Sequence, residues 1–379
     1  MDRNELSGEK STGRIAKRRD FIKASAAAGA ASIVTGAASS VHAASPTKNR
    51  KLRIGAIAVG EYSFYPYSWG DILSPFGTPF NQGTLETDIL NMEITQVWDV
   101  NHEAAQQFAA QIGAQAVKNY DDMVGLVDGV AFGGYFEVPW QNKLARPYIE
   151  AGIPTYLSRP FAYSLRDIDE ILDLAAKHNT PILATDLYEH IYGTRLLKSN
   201  LKNVGEIECV HGTCLTVDYP ALFHTQFMIL KIFGFDVRQV SVITDNPLES
   251  SYLVGNYLFN GWEGQKPFLC SMTKTSGDLY TFYVTGTEGI ETARISQILD
   301  RKDDLLTHHI PLLIAMQRTF EGKIYEPFDN IRRKTEIFLT GFYSALERGG
   351  APVDVGIVPP DWRARPAQPD WIDESMFKR

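Results

Sequence analysis

The chain has 379 residues, of which 44% are hydrophobic and 22% charged, so a largely disordered chain is excluded and there is room for two ordinary domains. Lys and Arg number 37 against 45 Asp and Glu, a formal net charge of −8. Without a basic block, no nucleic-acid partner is expected. Three cysteines cannot form a disulfide framework, and without a C-x-x-C pair a thiolate zinc site has no support, so we expect buried free thiols.

Residues 1–44 have the pattern of an export signal. Arg18 and Arg19 precede an apolar, alanine-rich run over 24–38, and Val41-His42-Ala43 resembles a small-residue cleavage site. This pattern is typical of a signal read by the twin-arginine export machinery. The apolar run is shorter than the about 18 residues that a membrane-spanning helix needs, so we expect no membrane anchor in the mature form. The periplasm is the predicted location.

The first half of the mature chain alternates predicted strands and helices. The apolar strand segments are 51–59, 93–100, 127–132, 155–157 and 181–185. The helical segments are 101–112, which begins at the capping residue Asn101, 141–151 and 164–177. Strands separated by helices predict a parallel α/β sheet, and we assign residues 51–186 to this first domain.

The sequence pattern changes from about residue 204 onward. Longer strand segments follow at 205–217, 237–243, 268–272 and 279–284, and two late helices at 312–321 and 331–348. They predict a second, sheet-rich domain over 187–350. Residues 351–379 contain five prolines and two tryptophans and predict an extended C-terminal arm.

Several short segments keep the order and spacing of a known family. Tyr148–Ala162, which includes Ser158-Arg159-Pro160, is followed by Val204-Gly205-Glu206-Ile207. His224 followed by Gly234, the turn from Gly286 to Gly289 and the pair Gly349-Gly350 come later. With these segments the chain resembles, across residues 51–358, the glucose–fructose oxidoreductase / inositol dehydrogenase / MocA (Gfo/Idh/MocA) family.

The resemblance implies a fold. The expected architecture is α/β, with an N-terminal Rossmann-like, doubly wound parallel sheet of the dinucleotide-binding type. A C-terminal α+β domain with a large open mixed or antiparallel sheet follows, and its last helix packs back on the first domain. In the family this sheet often mediates oligomers, so a homo-oligomer is expected.

The resemblance also implies a cofactor, NAD or NADP, and sugars or polyols as substrates. Asp99, at the end of the second strand, would hydrogen-bond the cofactor ribose. Gly60 is the retained middle glycine of the G-x-G-x-x-G turn. Arg159 stands where the family has a lysine that contacts nicotinamide and substrate. An arginine keeps the positive charge but is a poor general base, because a guanidinium hardly gives up its proton.

The turn that should bind the cofactor diphosphate departs from the family. Ala58 and Ser63 stand at the positions of the outer two glycines, and a stretch rich in aromatic residues follows. Tyr62, Tyr65 and Trp69 in this stretch are candidates for stacking on sugar rings. The alternatives are a packed surface loop and a loop that fills the dinucleotide cleft.

Candidate catalytic residues lie at the carboxyl ends of the predicted parallel strands, where open α/β sheets bind ligands. Asp186, Tyr188, Glu189 and His190 follow the fifth strand directly, and by the resemblance His224 faces the same cleft. His224 or Tyr188 would act as the base and Arg159 as a charge stabiliser. Asp186 and Glu189 would orient the substrate. The predicted catalytic residues are Arg159, Tyr188, His190 and His224.

The other histidines are assigned no function. His211 lies in the middle of a predicted strand and is expected to be structural, and His308-His309 are expected at a solvated helix terminus. A metal site is not predicted, because the spacing of the available ligands fits no metal motif. Those ligands are Asp186, His190, His211 and His224.

Three functions therefore stay open. The first is an exported NAD(P)-dependent carbohydrate oxidoreductase with a remodelled site. The second is a lyase, hydrolase or isomerase on the same scaffold, acting on a small sugar or an oligosaccharide. On a uronic acid, Arg159 would neutralise the carboxylate and Tyr188 or His224 would move the proton. The third is a non-catalytic binding protein.

Overall fold

The computed structural model contains two β-sheets, one of six strands and one of seven. The described residues are 50–60, 63, 69–74, 90–134, 138–214, 223–246, 251–261, 264–275, 280–295 and 305–364. The predicted export signal, the candidate residues Tyr62 and Tyr65 and the last part of the C-terminal arm lie outside them. Within the described part, no helix is long and apolar enough to cross a membrane.

Six strands of the described chain form a parallel sheet. They are β1 (Leu52–Ile57), β2 (Met92–Trp98), β3 (Gln115–Ala116), β4 (Gly129–Phe132), β5 (Thr155–Leu157) and β6 (Ile182–Ala184). Their order is β3-β2-β1-β4-β5-β6, and every pair is parallel. The strand order reverses between β1 and β4, which is the switch point where doubly wound sheets bind ligands.

The helices of this half follow from local sequence signals. They are α1 (Gly70–Leu73), α2 (His102–Ile112), α3 (Gln141–Glu150) and α4 (Leu165–His178). Asn101 caps α2 through a hydrogen bond that its side chain accepts from the Ala104 amide, and Ser164 caps α4 in the same way. The predicted bounds of α2, α3 and α4 agree with the structure to within one residue.

Seven further strands form a mixed sheet. They are β7 (Ile207–Cys214), β8 (Val237–Thr244), β9 (Leu253–Phe259), β10 (Phe268–Lys274), β11 (Thr281–Gly286), β12 (Gly289–Arg294) and β13 (Val353–Asp354). Their order is β12-β11-β7-β10-β9-β8-β13, and only β7 and β10 run parallel. The predicted fold class, a parallel sheet followed by a large mixed sheet, is confirmed.

The helices of the second half are α5 (Tyr192–Asn200), α6 (Phe223–Phe233), α7 (Ile310–Phe320) and α8 (Phe328–Glu347). The last helix, α8, contacts both halves. On one side the Ser344 hydroxyl accepts a hydrogen bond from the Val242 amide of β8 at 3.1 Å. On the other, Arg332 pairs with Asp169 of α4, with Nε 2.8 Å from Oδ1.

Two features of the second half bear on the sequence analysis. Cys214 and Cys270 are buried free thiols, as expected, but Cys209 is exposed, because alternate residues of β7 face opposite sides of the sheet. The start of the C-terminal arm is tied to the core, since β13 pairs with β8 and the Ala364 amide donates to the Tyr163 carbonyl at 3.0 Å.

Candidate active site

Three charged or ionisable side chains meet at the carboxyl end of the parallel sheet. Arg159 comes two residues after β5 and Asp186 two residues after β6, and both are almost fully buried. His224 reaches them from the first turn of α6. Asp186 Oδ2 lies 2.7 Å from His224 Nδ1 and 3.4 Å from Arg159 Nε. A single carboxylate oxygen therefore serves both a histidine and an arginine.

The Asp186 carboxylate is fixed by a capping box. Its Oδ1 accepts a hydrogen bond from the Tyr188 amide at 3.0 Å, and Glu189 Oε1 accepts one from the Asp186 amide at 3.0 Å. This reciprocal arrangement is the one that the pattern Asp-x-x-Glu favours at the start of a helical turn. Because Oδ1 is held by the backbone, Oδ2 points toward His224.

The charge state of Asp186 determines the tautomer of His224. Burial acts to raise the pKa of the Asp186 carboxyl, but His224, Arg159 and the Tyr188 amide outweigh it and hold that pKa below its ordinary value. An ionised carboxylate only accepts hydrogen bonds, so His224 Nδ1 must donate. In the neutral ring Nε2 is then an acceptor, which is the state of a general base. The His224 side chain is 14% exposed, whereas that of Asp186 is fully buried.

Aromatic rings surround this group. The Tyr188 ring lies edge-on to His224, with 5.1 Å between centroids, and 4.5 Å from the ring of Tyr280. Burial, Tyr188 and Asp186 raise the pKa of the Tyr280 phenol well above its ordinary value, so it stays protonated. The guanidinium carbon of Arg159 lies 5.3 Å from the centroid of the Phe223 ring.

His308 and His309 belong to the site, contrary to the predicted solvated terminus. Both are buried, in a π-helical turn directly before α7. The Trp69 indole N–H donates to His309 Nδ1 at 3.0 Å, so the neutral ring of His309 carries its proton on Nε2. Burial, Arg159 and His308 lower the pKa of His309 to about 3. The His308 ring lies 5.5 Å from that of Tyr188.

Trp69 is placed differently from the predicted sugar-stacking role. Its side chain is fully buried, 5.6 Å from the ring of Tyr156 on β5 and in contact with His309. No face of the indole is open to a sugar ring. Its apolar surface is instead part of a core cluster that includes Val59 and Leu187.

Gly60 and Asp99 meet at the ends of β1 and β2. Asp99 Oδ2 accepts a hydrogen bond from the Gly60 amide and Oδ1 one from the Asn101 amide, both at 2.7 Å. A Cβ atom on residue 60 would lie 3.2 Å from Asp99 Oδ2, which explains the glycine. Burial raises the pKa of Asp99 against the effect of these hydrogen bonds. Only 2% of the residue is exposed.

Glu189 and His190 lie away from Arg159 and His224. Both oxygens of Glu189 are 3.1 Å from Nζ of Lys334, a buried residue of α8 that sequence reasoning missed. His190 Nε2 lies 2.8 Å from the Thr185 hydroxyl, and burial, the main cause, lowers its pKa to about 4. Glu189 is therefore bound to Lys334 inside the fold and not directed at a substrate. His190 is neutral and contacts the Thr185 hydroxyl rather than the candidate base His224.

The described part of the chain brings together no group of three His, Cys, Asp or Glu side chains that could hold a metal ion. Of the predicted residues, it brings Arg159, Asp186, Tyr188 and His224 together. The signal for His308 and His309 was visible as a histidine pair next to an apolar helix. The signal for Lys334 was a lysine in the apolar repeat of α8.

A family model supports the resemblance over part of the chain. Residues 69–185 match the Gfo/Idh/MocA model, described as an oxidoreductase family with an NAD-binding Rossmann fold. The match begins after β1 and the altered glycine turn, and it ends next to Asp186. No curated protein sequence matches the chain.

Solved structures match most of the chain in fold. A probable dehydrogenase from Thermotoga maritima has a TM-score of 0.61 and 13% identity, over 80% of this chain and 99% of that one. An oxidoreductase from Agrobacterium radiobacter in complex with NAD+, L-tartaric acid and magnesium has a TM-score of 0.61 and 15% identity, over 81% of this chain and 99% of that one. The scyllo-inositol dehydrogenase from Lactobacillus casei with NAD(H) and scyllo-inositol has a TM-score of 0.61 and 12% identity, over 81% of this chain and 99% of that one.

Fold and site together define a class of protein. It is a two-sheet α/β protein with the architecture of these dehydrogenases and an acid–base group at its strand ends. At 12–15% identity the structural likeness shows the fold alone.

Proposed function

We propose that this protein is an oxidoreductase that oxidises a hydroxyl group of a sugar or polyol with NAD or NADP. The observation that carries this proposal is the Asp186 oxygen shared by His224 and Arg159 at the carboxyl end of the sheet. The family match over residues 69–185 and the fold neighbours support the cofactor and the reaction class.

The residues of this chain would divide the work as follows. His224 Nε2 takes the proton of the substrate hydroxyl, and ionised Asp186 stabilises the imidazolium that forms. Arg159 holds Asp186 in its charged state, and its charge favours the alkoxide that develops on the substrate. Tyr188 packs against His224 and limits its rotation. NAD(P), when bound, supplies the hydride acceptor.

The described residues fit a dinucleotide at its reacting end but not, as placed, at its ribose end. The proton acceptor His224 and the charge of Arg159 are what alcohol oxidation requires beside a nicotinamide. Asp99, in contrast, is 2% exposed and already accepts hydrogen bonds from two backbone amides, so as placed it offers almost no surface to a ribose hydroxyl. We therefore assign no ribose contact to Asp99.

A second candidate is proton transfer without redox chemistry, such as β-elimination at a uronic acid. Two observations favour it: Arg159 stands at the family's lysine position, and the Asp99 carboxylate is buried. His224 would abstract the proton, and Arg159 would neutralise the substrate carboxylate. A uronic-acid glycan is then the expected substrate class.

Nucleotide content and substrate-dependent turnover test the two candidates. The purified protein is denatured and any released NAD(H) or NADP(H) is measured, after which sugars, polyols and uronic-acid glycans are assayed with and without nucleotide. Released nucleotide with nucleotide reduction by a sugar supports the oxidoreductase. Turnover of a glycan without any nucleotide supports the second candidate. If neither the sugars and polyols nor the glycans are turned over, both catalytic candidates are wrong and the non-catalytic binding protein is the function that remains.

Paired variants test the site itself. His224→Gln should lower turnover by about 10²–10⁴-fold, because it removes a general base. His178→Gln is the matched control, since His178 ends α4 and precedes β6, at the end of that strand opposite to Asp186. Full activity of His224→Gln on the true substrate would show that the assignment is wrong.

We also propose that the protein is exported and assembles with itself. The signal pattern at 1–44 supports export to the periplasm, and changing Arg18 and Arg19 to lysine should block it. The uncovered face of the mixed sheet supports a homo-oligomer. Leu269, Tyr283 and Ile290 are 46%, 47% and 69% exposed there. Tyr283→Lys should lower the mass measured by light scattering.

A further inference from the structure

A cavity of about 560 Å³ lies beside β6, the last strand of the parallel sheet, and outside the candidate active site. Its walls come from α5, the end of α6, α7 and the segment that leads into α8. Arg159, Asp186 and His224 do not line it. Its volume is within the range of sites for small molecules.

Four cationic side chains line this cavity, and they come from three different helices. They are Arg195, Lys198, Lys231 and Arg318. Within the described part of the chain, none of the four is paired with a carboxylate. The two carboxylates in the lining, Glu189 and Glu326, are both in contact with the buried Lys334. The cavity therefore has an excess of positive charge.

Two of these cations, Lys198 and Lys231, are neighbours, so their like charges repel each other. Lys198 Nζ donates a hydrogen bond to the Lys231 carbonyl at 2.9 Å, which holds the two residues together. Burial, followed by the charge of Lys231, lowers the pKa of Lys198. The chain as a whole has 45 acidic residues against 37 basic ones, so a cluster of four cations beside two acids that are already paired with Lys334 is unexpected. A bound anion would relieve this repulsion.

Most of the rest of the lining is apolar or aromatic, so it suits an anion that carries an organic ring rather than a bare inorganic ion. Leu183, Leu230, Ile314 and Ile324 provide an apolar wall. Tyr325 also lines the cavity and is 67% exposed, so much of this aromatic side chain is accessible to a ligand.

We propose that this cavity is a second ligand site, which binds a small organic anion: a carboxylate, phosphate or sulfate group attached to a sugar-sized ring. The cationic side chains would hold the oxyanion, and the apolar wall with Tyr325 would hold the ring. The proposal does not depend on the proposed function, because it shares no catalytic residue with it.

Calorimetric titration of the full protein tests this site. The probes are glucuronate, glucose 6-phosphate, inorganic phosphate and neutral glucose, which separate carboxylate from phosphate and ring from bare ion. The variants are Lys231→Gln and Arg318→Gln. Arg238→Gln is the matched control, because Arg238 is exposed on β8 and has no side-chain partner in the described part of the chain. His224→Gln separates the cavity from the active site.

At least one ring-bearing anion should bind, and glucose should not bind to this site. Each cavity variant should weaken binding by about threefold to tenfold, with little effect of Arg238→Gln or His224→Gln. Added salt should weaken binding as well. The proposal is wrong if no probe anion binds with a Kd below about 10 mM, or if binding is lost in His224→Gln but unchanged in both cavity variants.

Discussion

The ion cluster around Lys334 allows a stability prediction that needs no knowledge of the substrate. Lys334 Nζ lies 3.1 Å from both oxygens of Glu189 and 2.5 Å from Glu326 Oε1, and it donates to the Ala184 carbonyl at 3.1 Å. Its side chain is 1% exposed and that of Glu189 3%. The substitution Lys334→Met keeps the apolar stem but leaves the Glu189 carboxylate buried without its cation.

Removing one partner of a buried ion pair costs about 3–5 kcal/mol, because the remaining charge stays desolvated. We expect a loss of that size in the unfolding free energy of Lys334→Met, measured by urea denaturation. The matched control is Lys323→Met. Lys323 is also paired, with Glu321 at 2.6 Å, but its side chain is 62% exposed, so the expected loss is about 0–1 kcal/mol.

A second substitution tests the mechanism. In Glu189→Gln the amide oxygen can still accept the hydrogen bond of the Asp186 amide, but it carries no charge. Combined with Lys334→Met it should recover part of the lost stability, with a coupling free energy of about 0.5–3 kcal/mol. The reasoning is refuted if Lys334→Met loses no more unfolding free energy than Lys323→Met. It is also refuted if the loss in the double variant equals the sum of the losses in Lys334→Met and Glu189→Gln, because Lys334 and Glu189 would then not compensate each other's charge.

Three further predictions concern other groups. Burial raises the pKa of the Glu326 carboxyl in the folded protein despite Lys334. The stability that this group contributes is therefore complete below its unfolded pKa and is lost as pH rises through its folded pKa, so Tm should fall over that pH range. In Glu326→Gln, which has no carboxyl at this position, the fall in Tm with pH should be smaller. Of the three cysteines, only Cys209 is exposed in the single chain, and it lies beside Leu269 on the face proposed to assemble. It should therefore react quickly with a thiol reagent in the Tyr283→Lys variant, whereas Cys214, whose pKa burial raises to about 11, and Cys270 should react after unfolding. Trp69→Phe should lose about 1–2 kcal/mol of stability by calorimetry, since it leaves a buried histidine nitrogen unpaired; an unchanged Tm would contradict that hydrogen bond.

The parallel sheet could be predicted from the sequence because its signals are local. Asn101 and Ser164 are ordinary capping residues, and apolar runs mark the buried strands. The mixed sheet was predicted less completely. Leu253–Phe259 contains Gly255 and Asn256, which are poor strand formers, and Gly289–Arg294 is a half-exposed edge strand without an apolar run. Both depend on pairing with distant strands, which the local sequence does not record.

The candidate site was predicted where position along a strand determines it. Asp186 follows β6, so the rule for carboxyl ends found it, and Arg159 was found from its place at the family's lysine position. His309 and Trp69 are 240 residues apart in sequence and meet only in the folded chain, where burial keeps the histidine neutral. No sequence spacing could indicate that contact.

Three residues that the sequence presents as separate candidates, Asp186, Glu189 and His224, form one chain of contacts with Lys334. Lys334 pairs with Glu189, Glu189 accepts the amide of Asp186, and Asp186 binds His224. Lys334 compensates the charge of Glu189, and Arg159 and the Nδ1–H of His224 stabilise the charge of Asp186. A change at Lys334 should therefore affect His224 through the position of Asp186, although the two do not touch. The last helix, through Lys334, thus helps to position the candidate base as well as to hold the two halves of the fold together.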